Sequence, residues 1–410
     1  MGKVNCVVAQ GGGPTAVING SLYGVIVQAM KRQEIDGIYG AINGVVGVLR
    51  ENFIDLRKEP QEVIDGLTFT PGAALGSCRY KLTSEEEIGK VIEIFRKYKV
   101  RYFFYIGGND SMDTANRIYE ASINAKYDLG VIGIPKTVDN DLLFTDHCPG
   151  FGSAAKYIAT SVLEAGCHAR GLYEFERVTI LETVGRNTGW LAGASALARR
   201  SSVDPPHLIY FPEVPFSLDQ FKEDVKRVCN EIGGAFIVVG EGIRDERGEL
   251  FSLKNGSSPV DSFGHVFLGR AGDFLRRFII QEMGLVAQNI KLDICQQSAA
   301  HLISGVDIKE AQMVGEDAVK YAVNGKSGVM ITLIREEGSS YRCKTSTVEL
   351  SKVANRERKV PRPWINEEGN FVRKEFIQYA YPLIQEEVKV PTREGLPLYV
   401  KLHNYRVKEK

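Results

Sequence analysis

Short, continuous apolar runs rich in β-branched residues alternate along the chain with longer segments whose apolar positions recur at helical spacing. Residues 4–9, 102–106, 131–134, 178–181, 208–211 and 236–239 are the runs, and stretches such as 84–98 and 218–232 are the amphipathic segments between them. A strand with one face in water alternates polar and apolar residues. A strand without a polar face is buried on both sides, as in parallel sheets covered by helices. The pattern therefore predicts an α/β protein with doubly wound, Rossmann-like, mostly parallel sheets. Residues 339–370, polar and carrying Pro361 and Pro363, break the rhythm and read as irregular surface or an appended segment.

The segments that follow the strands carry the chemistry. Gln10-Gly11-Gly12-Gly13 follows the first run, Gly107-Gly108-Asn109-Asp110 another, and Pro135-Lys136-Thr137-Val138-Asp139-Asn140-Asp141 a third. Gly185-Arg186-Asn187-Thr188 and Gly240-Glu241-Gly242 close two more. Any one of these would pass as an ordinary tight turn. In open parallel sheets, however, ligands sit outside the carboxyl ends of the strands, so five such turns loaded with Asp, Lys and Arg point to one crevice.

A length of 410 residues suits two domains with a cleft between them. Lys plus Arg equals Asp plus Glu at 51 each, so no global field would hold nucleic acid or an anionic membrane, and an anionic ligand must be met by local charges. No apolar run is long enough for a bilayer, and the chain enters its first strand without a leader-like core, so a soluble cytoplasmic protein is expected. The seven cysteines never form a CxxC pair and read as reduced thiols. The six histidines form no HExxH pair, which argues against zinc and leaves a hard, oxygen-bound ion as the metal to expect.

Gly11 to Gly13 and Pro14 lead into a helix predicted over residues 15–30, whose first amides could meet phosphate oxygens; an ordinary turn fits as well. The GxGxxG spacing of dinucleotide sites is absent. The sole GKS, residues 325–327, has Lys320 where a Walker A loop needs its first glycine. Phosphoryl transfer requires positive charge around the moving group, a seat for a cation and a base near the attacking hydroxyl. Asp110, Lys136, Asp139, Asp141 and Arg186 supply that inventory on three turns. Each alone would be better explained by a salt-bridge cluster.

At residues 135–141 the chain closely resembles the phosphofructokinases, and the resemblance extends from about residue 4 to 307. Gly11-Gly12-Gly13, Gly76-Ser77-Cys78-Arg79, Gly107 to Ser111, Val184-Gly185-Arg186 and Glu241-Gly242 fall where that family has its substrate loops. Residues 149–161, PGFGSAAKYIATS, look like the bacterial pyrophosphate-dependent branch. The resemblance implies that Asp139 takes the proton from the sugar C1 hydroxyl, with Thr137 and Asp141 positioning sugar and Mg2+. It implies Arg186 and Glu241, with Val184 and Gly185, at the sugar phosphate, Arg79 at the transferring phosphoryl group and Gly11 at the donor. Arg177 would reach in from a neighbouring subunit of a homodimer or homotetramer.

ATP-using members have glycine at the positions of Asp110 and Lys136. A carboxylate at 110 would repel a nucleotide α-phosphate and the ammonium at 136 would compensate pyrophosphate, so pyrophosphate is the expected donor and fructose 6-phosphate the expected acceptor. Three departures keep other readings open. Asn109 stands where many relatives place a metal-binding aspartate, which leaves Asn109 and Asp110 as the metal pair. Val184 replaces a methionine. Gln297 stands where relatives have an arginine for the 6-phosphate, and a neutral amide cannot make the same bidentate contact. Another ketose phosphate such as sedoheptulose 7-phosphate, ATP as donor, or a non-catalytic sugar-phosphate-binding subunit are the alternatives. We expect residues 1–145, rejoined by roughly 305–335, to form the donor domain, 146–304 the sugar-phosphate domain, and 336–410 an extension packed on the core.

Overall fold

The computed structural model describes residues 3–253, 271–338 and 340–407. Residues 1–2 of the expected donor domain, 254–270 of the expected sugar domain, and 339 and 408–410 of the expected extension lie outside the described residues.

In chain order the main strands are β1 (Val4–Gln10), β2 (Ile35–Ala41), β3 (Phe53–Asp55), β4 (Val100–Gly107), β5 (Gly130–Pro135), β6 (Val178–Thr183), β7 (Leu208–Tyr210), β8 (Ala235–Gly240), β9 (Ala287–Lys291), β10 (Val329–Arg335) and β11 (Cys343–Glu349), and the six apolar runs account for β1, β4, β5, β6, β7 and β8. A seven-stranded sheet has the order β11-β10-β5-β4-β1-β2-β3, and a four-stranded sheet the order β7-β8-β6-β9. Within these two sheets every pairing is parallel except β2 with β3 and β10 with β11, the two edges of the larger sheet. Every residue of β5, β6 and β8 is buried, as expected for strands covered on both faces. The fold is thus α/β with two mostly parallel sheets.

The Gly305–Val323 helix returns from the second sheet to lie against the Ile18–Met30 helix. Small residues bring their backbones together: an added β-carbon on Gly24 would meet Gln312 O at 2.2 Å, and one on Gly315 would meet Ser21 O at 2.1 Å. From there β10 joins β5, so the first sheet is completed by chain that has already visited the second.

Residues 339–370 depart from expectation. They hold β11, paired antiparallel with β10 from Cys343↔Arg335 to Glu349↔Val329. Its sequence, CKTSTVE, offers no apolar face because an edge strand with half-exposed sides does not need one. Further along, Val360, Ile365, Val372, Phe376, Tyr379 and Leu383 are buried against Phe151, Leu181, Trp190 and Phe236 beside the second sheet. The tail then returns to the first, where Leu402 joins its core and Asp55 N donates to Tyr405 O at 2.7 Å.

Between the sheets, His147 is fully enclosed, with Nε2 2.5 Å from Glu310 Oε2 and Nδ1 2.9 Å from Asp146 Oδ1. Burial alone would lower the imidazole pKa, but Glu310 and Asp146 outweigh it and push the value up to about 9. A raised value means that the charged pair stabilises the fold fully below the unfolded value near 6.5 and is lost as pH rises through 9. Melting temperature should therefore fall between pH 7 and 10 by on the order of 2–4 °C more in the parent than in His147→Gln. Equal slopes for the two proteins would refute the charged pair.

Candidate active site

Register places the loops. Gln10 pairs with Ile106 and Gly107 with Pro135, so the turns after β1, β4 and β5 leave the sheet at one level. With the turn after β6 they enclose a cavity of about 550 Å³ lined by Gly12, Gly13, Arg79, Lys81, residues 108–111, Lys136, Thr137, Asp139, Asp141, residues 186–188, Asn355 and Glu357. Asp110, Lys136, Asp139, Asp141, Thr137, Arg79, Arg186 and Asn109 are thus brought together.

Lys136 is almost wholly buried, and its Nζ donates to Gly13 O at 2.7 Å. That approach requires Gly12, whose φ is +74° and whose added β-carbon would lie 3.2 Å from the ammonium. Burial lowers the Lys136 pKa to about 8, although Asp139 and Asp141 pull the other way. Asp139 is raised, chiefly by burial, against the pull of Lys136 and Arg186. Asp141 is raised by burial and by the charges of Asp139 and Glu357, and its Oδ1 is buried without a hydrogen-bond partner among the described residues. Asp139 N donates to Thr137 Oγ1 at 3.1 Å, which folds the segment back on itself. Asp110 stands in the first turn of the Asn109–Asn124 helix, where the helix dipole favours a carboxylate.

Other expected residues lie outside the cavity lining. Gly11 continues the strand by donating to Ile106 O at 2.9 Å, and an added β-carbon would strike Ser111 Oγ at 2.5 Å, so its smallness serves packing; Gly12 and Gly13 face the cavity instead. The helix expected from residue 15 starts at Ile18, because Thr15 Oγ1 accepts from Val17 N at 3.3 Å and holds a turn in place of the first helical residues. Glu241 sits behind the β6 turn: Oε1 accepts from Gly185 N at 3.2 Å, and burial followed by the charge of Asp139 raises its pKa to about 7. Val184 N donates to Gln296 Oε1 at 3.1 Å. Gln297 turns toward the glycine turn after β1, where an added β-carbon on Gly13 would lie 3.5 Å from its Oε1. Arg177 precedes β6, at the opposite end of that strand from the cavity, and donates to Cys229 O at 3.3 Å.

Asn109, expected at a metal, is otherwise engaged: its Oδ1 accepts from Arg356 N at 3.3 Å and its Nδ2 donates to Arg356 O. The carboxamide clamps a distant segment, leaving the carboxylate of Asp110 as the stronger oxygen donor of the pair. Among the described residues no cluster of three His, Cys, Asp or Glu could hold a metal by itself.

Asn187 and Thr188, given only as members of their turn, line the cavity, and so do Lys81, Asn355 and Glu357, which the sequence did not single out. Lys81 could have been found, since extended chain points residues two apart to one side and Arg79 was already placed. Asn355 and Glu357 share that spacing, but nothing in the sequence says that their segment passes the cavity.

A family model described as Phosphofructokinase matches residues 5–322. The pyrophosphate–fructose 6-phosphate 1-phosphotransferase of Halomonas elongata is 41% identical over 417 residues, covering 100% of this chain and 99% of that protein. Its namesake from Xanthomonas campestris pv. campestris is 41% identical over 412 residues, covering 99% and 98%. A crystal structure of a pyrophosphate-dependent phosphofructokinase from Marinobacter aquaeolei superposes with a TM-score of 0.91 at 40% identity, covering 99% of this chain and 98% of that one.

Proposed function

The chain belongs to the phosphofructokinase family, and we propose that it transfers a phosphoryl group from pyrophosphate to the C1 hydroxyl of fructose 6-phosphate, giving fructose 1,6-bisphosphate and orthophosphate. The observation that carries this reading is the joint presence of Asp110, Lys136 and Asp139 in one cavity, with the Lys136 ammonium fixed on the donor loop.

Asp139 takes the C1 hydroxyl proton as the oxygen bonds to phosphorus, and the bridging bond breaks with its electron pair leaving on orthophosphate. Burial has raised the Asp139 pKa, which makes the carboxylate a stronger base than a solvated one. Lys136 meets charge on the donor, Arg79 faces the phosphoryl group, and Arg186 contacts the sugar phosphate, held in register by the Gly185–Glu241 contact. Asp110 occupies the space a nucleotide would need. Because anhydride and ester are closer in energy than with ATP, the reaction runs in both directions.

Carboxylates with an unpartnered oxygen on Asp141 suit a hard ion, and Mg2+ would be held by Asp110 together with substrate oxygens and water, since the described residues offer no all-protein cluster. When bound it would neutralise phosphate charge. A homodimer or homotetramer in which Arg177 of one copy serves another is part of the same proposal. So is a cytoplasmic location; among the described residues no helix is long and apolar enough to cross a membrane. Gln297, which kept another ketose phosphate open as acceptor, sits by the donor loop, so the geometry gives that reading no added support.

A matrix of donors and acceptors assayed with magnesium tests the proposal: turnover with ATP and none with pyrophosphate would overturn it. The pH dependence supplies a second check. Lys136 must be charged to meet the donor, so kcat/KM for pyrophosphate should decline above about pH 8 and the limb should vanish in Lys136→Arg, whose guanidinium stays charged. An unchanged limb in that variant would remove Lys136 as its source.

A further inference from the structure

Four consecutive residues of the C-terminal region each hold a different part of the site. Asn355 Nδ2 donates to Asp113 Oδ1 at 3.0 Å, the backbone of Arg356 pairs with the Asn109 carboxamide, and Glu357 Oε1 accepts from Asn187 Nδ2 at 2.8 Å. Asp113 and Asn109 belong to the helix after β4, and Asn187 to the turn after β6. The segment therefore straps the donor side of the cavity to the sugar side.

Arg358 turns inward beneath the base. Its N donates to Asp141 O at 2.7 Å, while Nε and Nη2 donate to Asn140 O at 3.2 and 3.0 Å. Thr188 Oγ1 donates to Asp139 O at 3.1 Å, so three successive carbonyls of the base segment are held from outside it. Within it Asn140 has a φ of +53°, the left-handed region that asparagine enters more readily than other non-glycine residues, so the chain reverses sharply between the base and Asp141. The guanidinium lies over the Trp190 ring at 4.6 Å, and its Nη1 donates to Thr145 O at 2.9 Å, which leaves it little freedom to move. This residue lies beyond position 322, where the family match ends.

We infer that Arg358 is a positioning residue for the Asp139 base, and that residues 355–358 set the spacing between donor, base and sugar loops. The inference rests on the phosphotransferase reading above. An arginine that only satisfied buried carbonyls would lower thermal stability and leave turnover of the folded protein intact. A positioning residue instead governs kcat, because displacing a reacting group by about 1 Å costs about 100-fold.

The full-length protein carrying Arg358→Ala, and separately Arg358→Lys, is compared with the parent on pyrophosphate and fructose 6-phosphate, at a temperature where circular dichroism shows each to be folded. Expected are a fall in kcat of about 100-fold for Arg358→Ala, both KM values within about threefold, a smaller loss for Arg358→Lys, and partial recovery of Arg358→Ala turnover by low millimolar guanidinium. If the alanine variant does not fold, the lysine variant decides. A folded variant with kcat within about threefold of the parent, or a loss confined to KM, overturns the inference while leaving the function standing. A parent without turnover on any donor and acceptor overturns both.

Discussion

Replacing Asp139 by asparagine is expected to lower kcat about 1,000-fold while the KM for fructose 6-phosphate changes little. Asparagine keeps the shape of the side chain and the Thr137 Oγ1 contact to the Asp139 amide, which is made by the backbone. What it removes is the one group able to accept the C1 proton at that point of the cavity. Asp141 is the nearest other carboxylate, and burial raises its carboxyl pKa as well, so residual turnover in this variant would report that neighbour taking the proton in its place. Steady-state kinetics with pyrophosphate, with folding checked by circular dichroism, measures the effect. Turnover within tenfold of the parent would show that another group takes the proton.

Donor choice should respond as strongly to the pair Asp110→Gly and Lys136→Gly. Losing the ammonium deprives pyrophosphate of a desolvated cation, and one preorganised electrostatic contact of this kind is worth about 100- to 1,000-fold in turnover. Losing the carboxylate at the head of the Asn109–Asn124 helix opens space in the cavity and removes the charge that, on the proposed reading, keeps out an α-phosphate. The double variant is therefore expected to lose about 100-fold or more in kcat/KM for pyrophosphate and to gain measurable turnover with ATP. Retention of the parent's donor ratio would mean that neither side chain selects the donor. The single variants separate the two contributions: Asp110→Gly alone should act mainly on ATP, and Lys136→Gly alone mainly on pyrophosphate.

Much of this site could be read before any coordinates, because two constraints are local. A strand buried on both faces must be apolar throughout, so β1, β4, β5, β6 and β8 announced themselves, and with them the turns that follow. The turns carry charged residues that such a sheet would otherwise exclude, which singled out Asp110, Lys136, Asp139 and Arg186. Gly11 stands apart from its two neighbours for a related reason. In a run of three glycines the sequence cannot say which one yields space to Ser111 and which ones face the cavity.

The strap stayed hidden because neither of those constraints acts on it. Asn355, Arg356, Glu357 and Arg358 are polar residues in an irregular stretch, and their partners lie up to 247 positions away. β11 escaped notice as well, since its order in the sheet depends on pairing with β10 and not on an apolar face of its own.

Alone, then, the order of residues determined the fold class and the charged turns that meet in one cavity, because strand burial and turn composition are written within a few neighbouring positions; Asp139 was put forward as the base only through resemblance to a family. Tertiary structure alone decided that Lys136 is buried against the Gly12–Gly13 turn, that Asn109 serves as a clamp, and that Arg358 grips residues 140–141. Those outcomes depend on which distant backbones meet, and contact between remote segments leaves no periodic trace along the chain.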